Sequence, residues 1–139
     1  MTIYLAGSLN NPRIPLIAKE LRSRGLIVFD DWYAAGPKAD ECWRAYEIAK
    51  GHNLAQALRG EAAQNTFQFD RRHIEACDIM VLVLPAGRSG HLELGWAIGQ
   101  GKKGFVMLDA DPDRYDVMYA FASGVVYNIQ EFLSVIGRG

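Results

Sequence analysis

Two carboxylates far apart in the chain carry the chemistry this sequence can offer. Glu93 sits in Ser89-Gly90-His91-Leu92-Glu93-Leu94-Gly95, straight after a glycine-containing loop. The pattern predicts a helix start behind a buried strand. Glu93 would fall in the first turn, where free backbone N–H groups and the helix dipole stabilise a carboxylate. One reading makes it a first-turn residue behind a Gly90 or Ser89 cap. The other makes it an ionised, pre-oriented nucleophile or electrostatic stabiliser aimed at a strand-end crevice. Asp70 lies in Phe69-Asp70-Arg71-Arg72-His73 and shares a helical face with His73, Ile74 and Cys77. An acid there either pairs with Arg71, Arg72 or a neighbouring helix, or serves as a general acid. Two carboxyl groups in one pocket can hold different pKa values and divide the acid and nucleophile roles. A glycoside-type reaction needs that division. One carboxylate attacks the anomeric carbon, and the other protonates a leaving sugar oxygen or nucleobase nitrogen.

Five apolar runs must position these groups: Ile3–Ala6, Leu26–Phe29, Asp78–Leu84, Gly104–Leu108 and Val125–Tyr127. Asp78–Leu84 is apolar on both alternating sets, as a central parallel strand covered on two faces would be. Between the runs, helical spacing covers Pro12–Arg24, Ala39–Gly60, Ala62–Ala76, His91–Gly101, Tyr115–Ala122 and Ile129–Ile136. The order β-α-β-α-α-β-α-β-α-β-α predicts one α/β domain over residues 1–139, a doubly wound parallel sheet between two helical layers. In such sheets ligands bind beyond the carboxyl ends of the strands, near a switch in strand order. That makes the loops after the first four strands the candidate site.

Composition narrows the function. Of 139 residues, 50% are hydrophobic and 22% charged, and 15 Lys+Arg against 16 Asp+Glu leave a net charge of −1. A chain of this size buries roughly two thirds of its unfolded surface, enough for a core without disulfides. The balanced charge removes the footprint of a nucleic-acid polymer or membrane surface as partner. No apolar run reaches the ~18 residues of a membrane span, and Met1-Thr2-Ile3-Tyr4-Leu5-Ala6-Gly7 reads as a strand, not a signal peptide. Cys42 and Cys77 have no metal-type spacing, nor do His73 and His91, so no metal is expected and a reducing cytoplasm is the simplest compartment. The first loop lacks G-x-G-x-x-G, and Ala86-Gly87-Arg88-Ser89-Gly90-His91 lacks the ending of a P-loop. No cofactor is expected where carboxylates do the work.

A wider set of residues carries a likeness. It comprises Ile3-Tyr4-Leu5-Ala6-Gly7-Ser8, then Asp70 and the Asp78–Leu84 run, then Ser89 through Glu93-Leu94-Gly95-Trp96-Ala97 to Gly101-Lys102, and weakly Asp116-Val117-Met118. On these the chain resembles the nucleoside 2-deoxyribosyltransferases and the related 2′-deoxynucleoside 5′-monophosphate N-glycosidases. Residues 31–65 are poorly covered. The resemblance implies a five-stranded flavodoxin-like fold and no cofactor. It also implies a nucleoside or nucleotide as substrate, and a homodimer or higher homo-oligomer with shared sites. Glu93 matches the nucleophile that forms the covalent glycosyl-enzyme, Asp70 the acid that protonates the departing base, and Tyr4 the tyrosine that orients the nucleophile. Gly7 and Ser8 would bring backbone close to the ligand.

Two positions depart from the family. Gly87 stands where the transferases hold a sugar hydroxyl with Asp and the nucleotide glycosidases hold phosphate with Ser; Ser89 and the N–H groups around Gly90 are the replacements. Asp116 stands where the family lends Asn or Ser to a neighbouring subunit, two positions before Met118, with Tyr119 beside it. A carboxylate there favours a 5′-hydroxyl, whereas Arg88 favours a phosphate. Trp32, Tyr33 and Trp43 are candidates for a base-stacking wall, and Asp30 and Asp31 are either contacts to base or ribose or solvated turn residues. Three functions stay open: a deoxyribosyltransferase-like enzyme, a 5′-monophosphate N-glycosidase, and a nucleotide-sensing module without turnover.

Overall fold

The computed structural model describes residues 1–138. Five strands form one sheet: β1 Thr2–Ala6, β2 Ile27–Phe29, β3 Ile79–Val83, β4 Lys103–Met107 and β5 Gly124–Val126. All neighbours are parallel, in the order β2-β1-β3-β4-β5, which is flavodoxin-like. The helices are α1 Arg13–Ser23, α2 Ala39–Ala49, α3 Leu54–Leu58, α4 Glu61–Ala76, α5 Arg88–Gly99 and α6 Ile129–Val135. Short 3-10 turns occupy Asp31–Ala35 and Val117–Phe121. From β1 the chain steps outward to β2 and then returns to β3 on the other side of β1. The strand order therefore switches between β1 and β3, and a crevice opens beyond their carboxyl ends.

Side-chain alternation along the strands builds two cores. Ile3 and Leu5 face α1 and α6, with Val81, Val83, Phe132 and Leu133. Tyr4 and Ala6 face α4 and α5, with Met80, Leu82, Ile74 and Leu94. Tyr4 is wholly buried, so the first strand aims a phenol into the layer that carries both carboxylates. Arg13 ties the loops together, donating to the carbonyls of Leu84 at 3.0 Å and Leu108 at 3.4 Å.

Three expected helices differ. The Ala39–Gly60 run breaks at Gly51, whose φ of 81° ends α2, and Asn53 then starts α3 with a capping box to Gln56. The Tyr115–Ala122 run shrinks to a 3-10 turn begun by Asp116, whose side chain accepts from the Met118 N–H. The His91–Gly101 helix instead starts at Arg88, behind Gly87. Gly90 is therefore no cap. A Cβ there would lie 2.7 Å from Leu82 Cδ1 and 3.4 Å from the Gly7 nitrogen, so this glycine lets α5 close on the sheet.

Gly104 does the same for the other end of α5. A Cβ there would meet Leu94 Cδ1 at 2.7 Å and Ile98 Cγ1 at 2.8 Å. Gly104→Ala is expected to cost about 1–3 kcal/mol by overpacking, less what alanine saves in chain entropy. Urea unfolding reads this, and an unchanged midpoint would mean that α5 lifts without cost.

Candidate active site

Glu93 sits in the second turn of α5, not the first, because the helix begins at Arg88. The expected stabilisation by free N–H groups is therefore lost. Its support comes from Tyr4, whose hydroxyl donates to Glu93 Oε2 at 2.5 Å. Burial pushes the Glu93 carboxyl up to about 7; the Tyr4 hydrogen bond opposes the rise and the Asp70 charge adds to it. Burial and then Glu93 hold the Tyr4 phenol far above its ordinary range, so Tyr4 remains a donor. The expectation of a carboxylate kept ionised by its helix is corrected: near neutral pH Glu93 is poised between its two forms.

Asp70 comes from α4. The aromatic rings around it fix that helix to β2: Phe29 stacks on His73 at 3.9 Å between centroids, and Phe69 meets His73 edge-on at 4.7 Å. Neither neighbouring arginine takes the acid. Arg71 pairs with Glu75 at 3.0 Å, and Arg72 lies over the Phe69 ring. Burial raises the Asp70 carboxyl, and His73 partly offsets this.

Both carboxyls line one cleft of about 510 Å³ at the predicted strand ends. Gly7, Ser8 and Trp32 border it on one side, and Gly87, Arg88, Ser89 and Gly90 on the other. Ser8 Oγ accepts from the Asn10 N–H at 3.1 Å, which leaves its own proton to donate. The Trp32 indole donates to the Leu5 carbonyl at 2.7 Å. β2 is three residues long and its register with β1 ends at Tyr4, so the indole serves a carbonyl that β2 no longer reaches. A second, more apolar hollow of about 550 Å³ opens between α4 and α5, walled by Phe67, Leu92 and Trp96. It shares Asp70, Ser89 and Glu93 with the cleft, so the acid pair stands at the junction of the two.

Other expected site residues lie elsewhere. Asp30 accepts from Arg22 at 2.7 Å and does not line the cleft. Tyr33 packs edge-on to Trp32, and the Trp43 indole nitrogen is buried without a partner; neither ring borders the cleft, so only Trp32 serves as a wall. Asp116 and Met118 line a separate hollow of about 530 Å³ with His91 and Tyr119, on the far flank of α5. Asn10, Asp40 and Thr66 line the cleft but were missed. Asn10 follows Gly7-Ser8 in the loop after the first strand, which was its signal; Asp40 and Thr66 had none. Among the described residues no group of three His, Cys, Asp or Glu side chains is placed to hold a metal. No described helix is long and apolar enough to cross a membrane.

No family model and no curated protein matches the chain in sequence. Several solved structures share its fold, among them two that cover nearly the whole chain. One is a CMP N-glycosidase from Clostridium botulinum, 18% identical, with 99% of each chain covered and a TM-score of 0.59. The other is a 2-deoxyribosyltransferase from the psychrotolerant bacterium Bacillus psychrosaccharolyticus, 17% identical, with 96% of this chain and 90% of that one covered and a TM-score of 0.62.

The Glu93 shift makes stability depend on pH. A folded-state pKa raised from 4.5 to about 7 means that the folded chain holds this proton more tightly. The resulting stabilisation is full below the unfolded value and disappears as pH rises through about 7. Glu93→Gln is expected to flatten the dependence and to unfold later than the parent at pH 8, by on the order of 1 kcal/mol. Urea midpoints at pH 5 and pH 8 measure it; parallel loss in both proteins would assign the dependence elsewhere.

Proposed function

We propose that the protein breaks the N-glycosidic bond of a nucleoside or nucleotide through a covalent glycosyl intermediate on Glu93. The supporting observation is a part-buried Tyr4–Glu93 pair opening on the same cleft as Asp70, an acid that forms no ion pair among the described residues. Tyr4 occupies Oε2 and leaves the other oxygen to attack the anomeric carbon. The carbon–nitrogen bond breaks toward the base, and Asp70 delivers a proton to it, for a purine at N7. Water or a second base then attacks the same carbon, the bond from that carbon to Glu93 breaks and returns the free carboxylate, and Asp70 receives the attacker's proton. Water gives hydrolysis and a base gives transfer. A binding module has no use for a nucleophile and an acid at this junction, which favours turnover.

The 5′ side of the substrate lies toward Gly87, Arg88 and Ser89. Arg88 is the cation bordering the cleft, and it supports the second reading, a 5′-monophosphate N-glycosidase. Asp116 and Met118 border their own chain's outer hollow beside the exposed Val117 and Phe121. In this reading a homodimer carries them to the partner's cleft, where Asp116 would oppose a phosphate. Product analysis with deoxynucleosides and their 5′-monophosphates, each with and without a free base, separates transferase from hydrolase and nucleoside from nucleotide. Ligand bound tightly and recovered intact after hours would establish the non-catalytic alternative.

The two carboxyls titrate as a pair. The working form carries one proton, on Asp70, and the Tyr4 hydrogen bond favours that arrangement by stabilising the Glu93 anion. The profile of kcat/KM is expected to be a bell whose alkaline limb lies near pH 7, where the last proton leaves. Glu93→Ala is expected to abolish turnover in a folded protein. Asp70→Asn should slow ordinary bases by about 100-fold or more and spare an aglycone that needs no proton, with a profile that only rises with pH. Equal losses on both aglycones would make Asp70 structural.

A further inference from the structure

His91 makes two hydrogen bonds that the reaction above does not use. Its Nδ1 lies 2.7 Å from the Gly87 carbonyl oxygen, and its Nε2 lies 2.9 Å from the Tyr119 hydroxyl, with the two rings stacked at 17°. The carbonyl can only accept, so the Nδ1 carries the hydrogen. In the neutral ring Nε2 then accepts from the Tyr119 O–H. Burial and the nearby Asp116 raise the tyrosine's pKa, so it keeps the proton it donates.

The bond to Gly87 reinforces a weak one. The first backbone bond of α5, from the His91 N–H to the same carbonyl, is stretched to 3.4 Å. Gly87 has nothing within 4 Å of where a Cβ would be, so side-chain packing cannot hold this turn. A planar peptide points its C=O and N–H in opposite directions. Fixing the Gly87 oxygen along the helix therefore turns the Arg88 N–H away from it, at the helix start where Gly87, Arg88 and Ser89 border the cleft.

We propose that His91 is a positioning residue. Held in its Nδ1–H tautomer by the Gly87 carbonyl and steadied by the Tyr119 hydroxyl at Nε2, it locks the Gly87–Arg88 peptide where that peptide borders the cleft and couples it to the 3-10 turn of Asp116 and Met118. The role in turnover rests on the proposed function; the tautomer and the peptide lock do not. Long-range proton–nitrogen spectra of the full-length labelled protein decide the first point. One protonated Nδ1 and one bare Nε2 are expected for His91, and the reverse pattern overturns the proposal. Tyr119→Phe is expected to loosen the orientation of the His91 ring and shift the Arg88 amide signal without lowering the melting temperature. An unmoved signal overturns the coupling even if no nucleoside is ever cleaved.

For an active enzyme, Tyr119→Phe and His91→Ala should each raise KM about 3–10-fold, the worth of a neutral hydrogen bond, with little change in kcat. The double variant should be no worse than His91→Ala alone, and His91→Gln should recover part of the loss. Additive losses, or a fall in kcat with KM unchanged, would overturn the positioning role. Absence of turnover in the parent on every nucleoside and monophosphate would instead count against the proposed function.

Discussion

The placement of the Glu93 carboxyl against a wholly buried phenol governs the rest of the molecule. Water is largely excluded from this pair, so the charged carboxylate is disfavoured and the tyrosine cannot ionise. The outcome is a directed hydrogen bond between a donor that never changes and an acceptor that titrates near neutrality. Every packing feature around it serves that distance. The alternation of β1 turns Tyr4 inward, Gly7 leaves room for Ile14 of α1 and the end of β3, and Gly90 lets α5 approach. Gly104 seats the far end of the same helix.

Such a pair is a burden on folding. A buried carboxylate costs desolvation energy that one hydrogen bond does not repay, and a second acid at the same junction adds repulsion. The surrounding sheet bears the cost. Two separate hydrophobic layers, with Tyr4 and Phe29 in one and Ile3 and Leu5 in the other, secure the strand that holds the phenol on both faces. Such a cost is borne only by rigid elements, which is why the phenol rises from a central strand and the carboxyl from a packed helix, neither from a loop.

The sheet was legible because buried parallel strands are apolar on both alternating sets, and all five runs became strands within a residue or two. Helix ends were not, since one residue type serves several physical purposes. Gly90 reads as a start signal but serves close approach, whereas Gly51, inside an expected helix, ends it with a positive φ. Glu93 and Asp70 were legible from residue type and setting, although the expected reason for Glu93's ionisation was wrong. Asp40 and Thr66 stayed hidden because their segment buries almost nothing: α2 buries only Glu47, α3 only Ala57 and α4 only Ile74. A helix with one buried position leaves no period to read. Asp30 misled in another way, since its partner Arg22 lies eight residues upstream and no spacing rule announces it.

The brevity of β2 has a mechanical consequence. Because the strand stops short, the aromatic ring bordering the cleft is moored to the backbone of β1, one residue beyond the tyrosine that holds the nucleophile. Wall and anchor are thus fastened to a single rail. A displacement of β1 carries both together while the indole's hydrogen bond holds, so the gap between them follows the strand and not the outer helices.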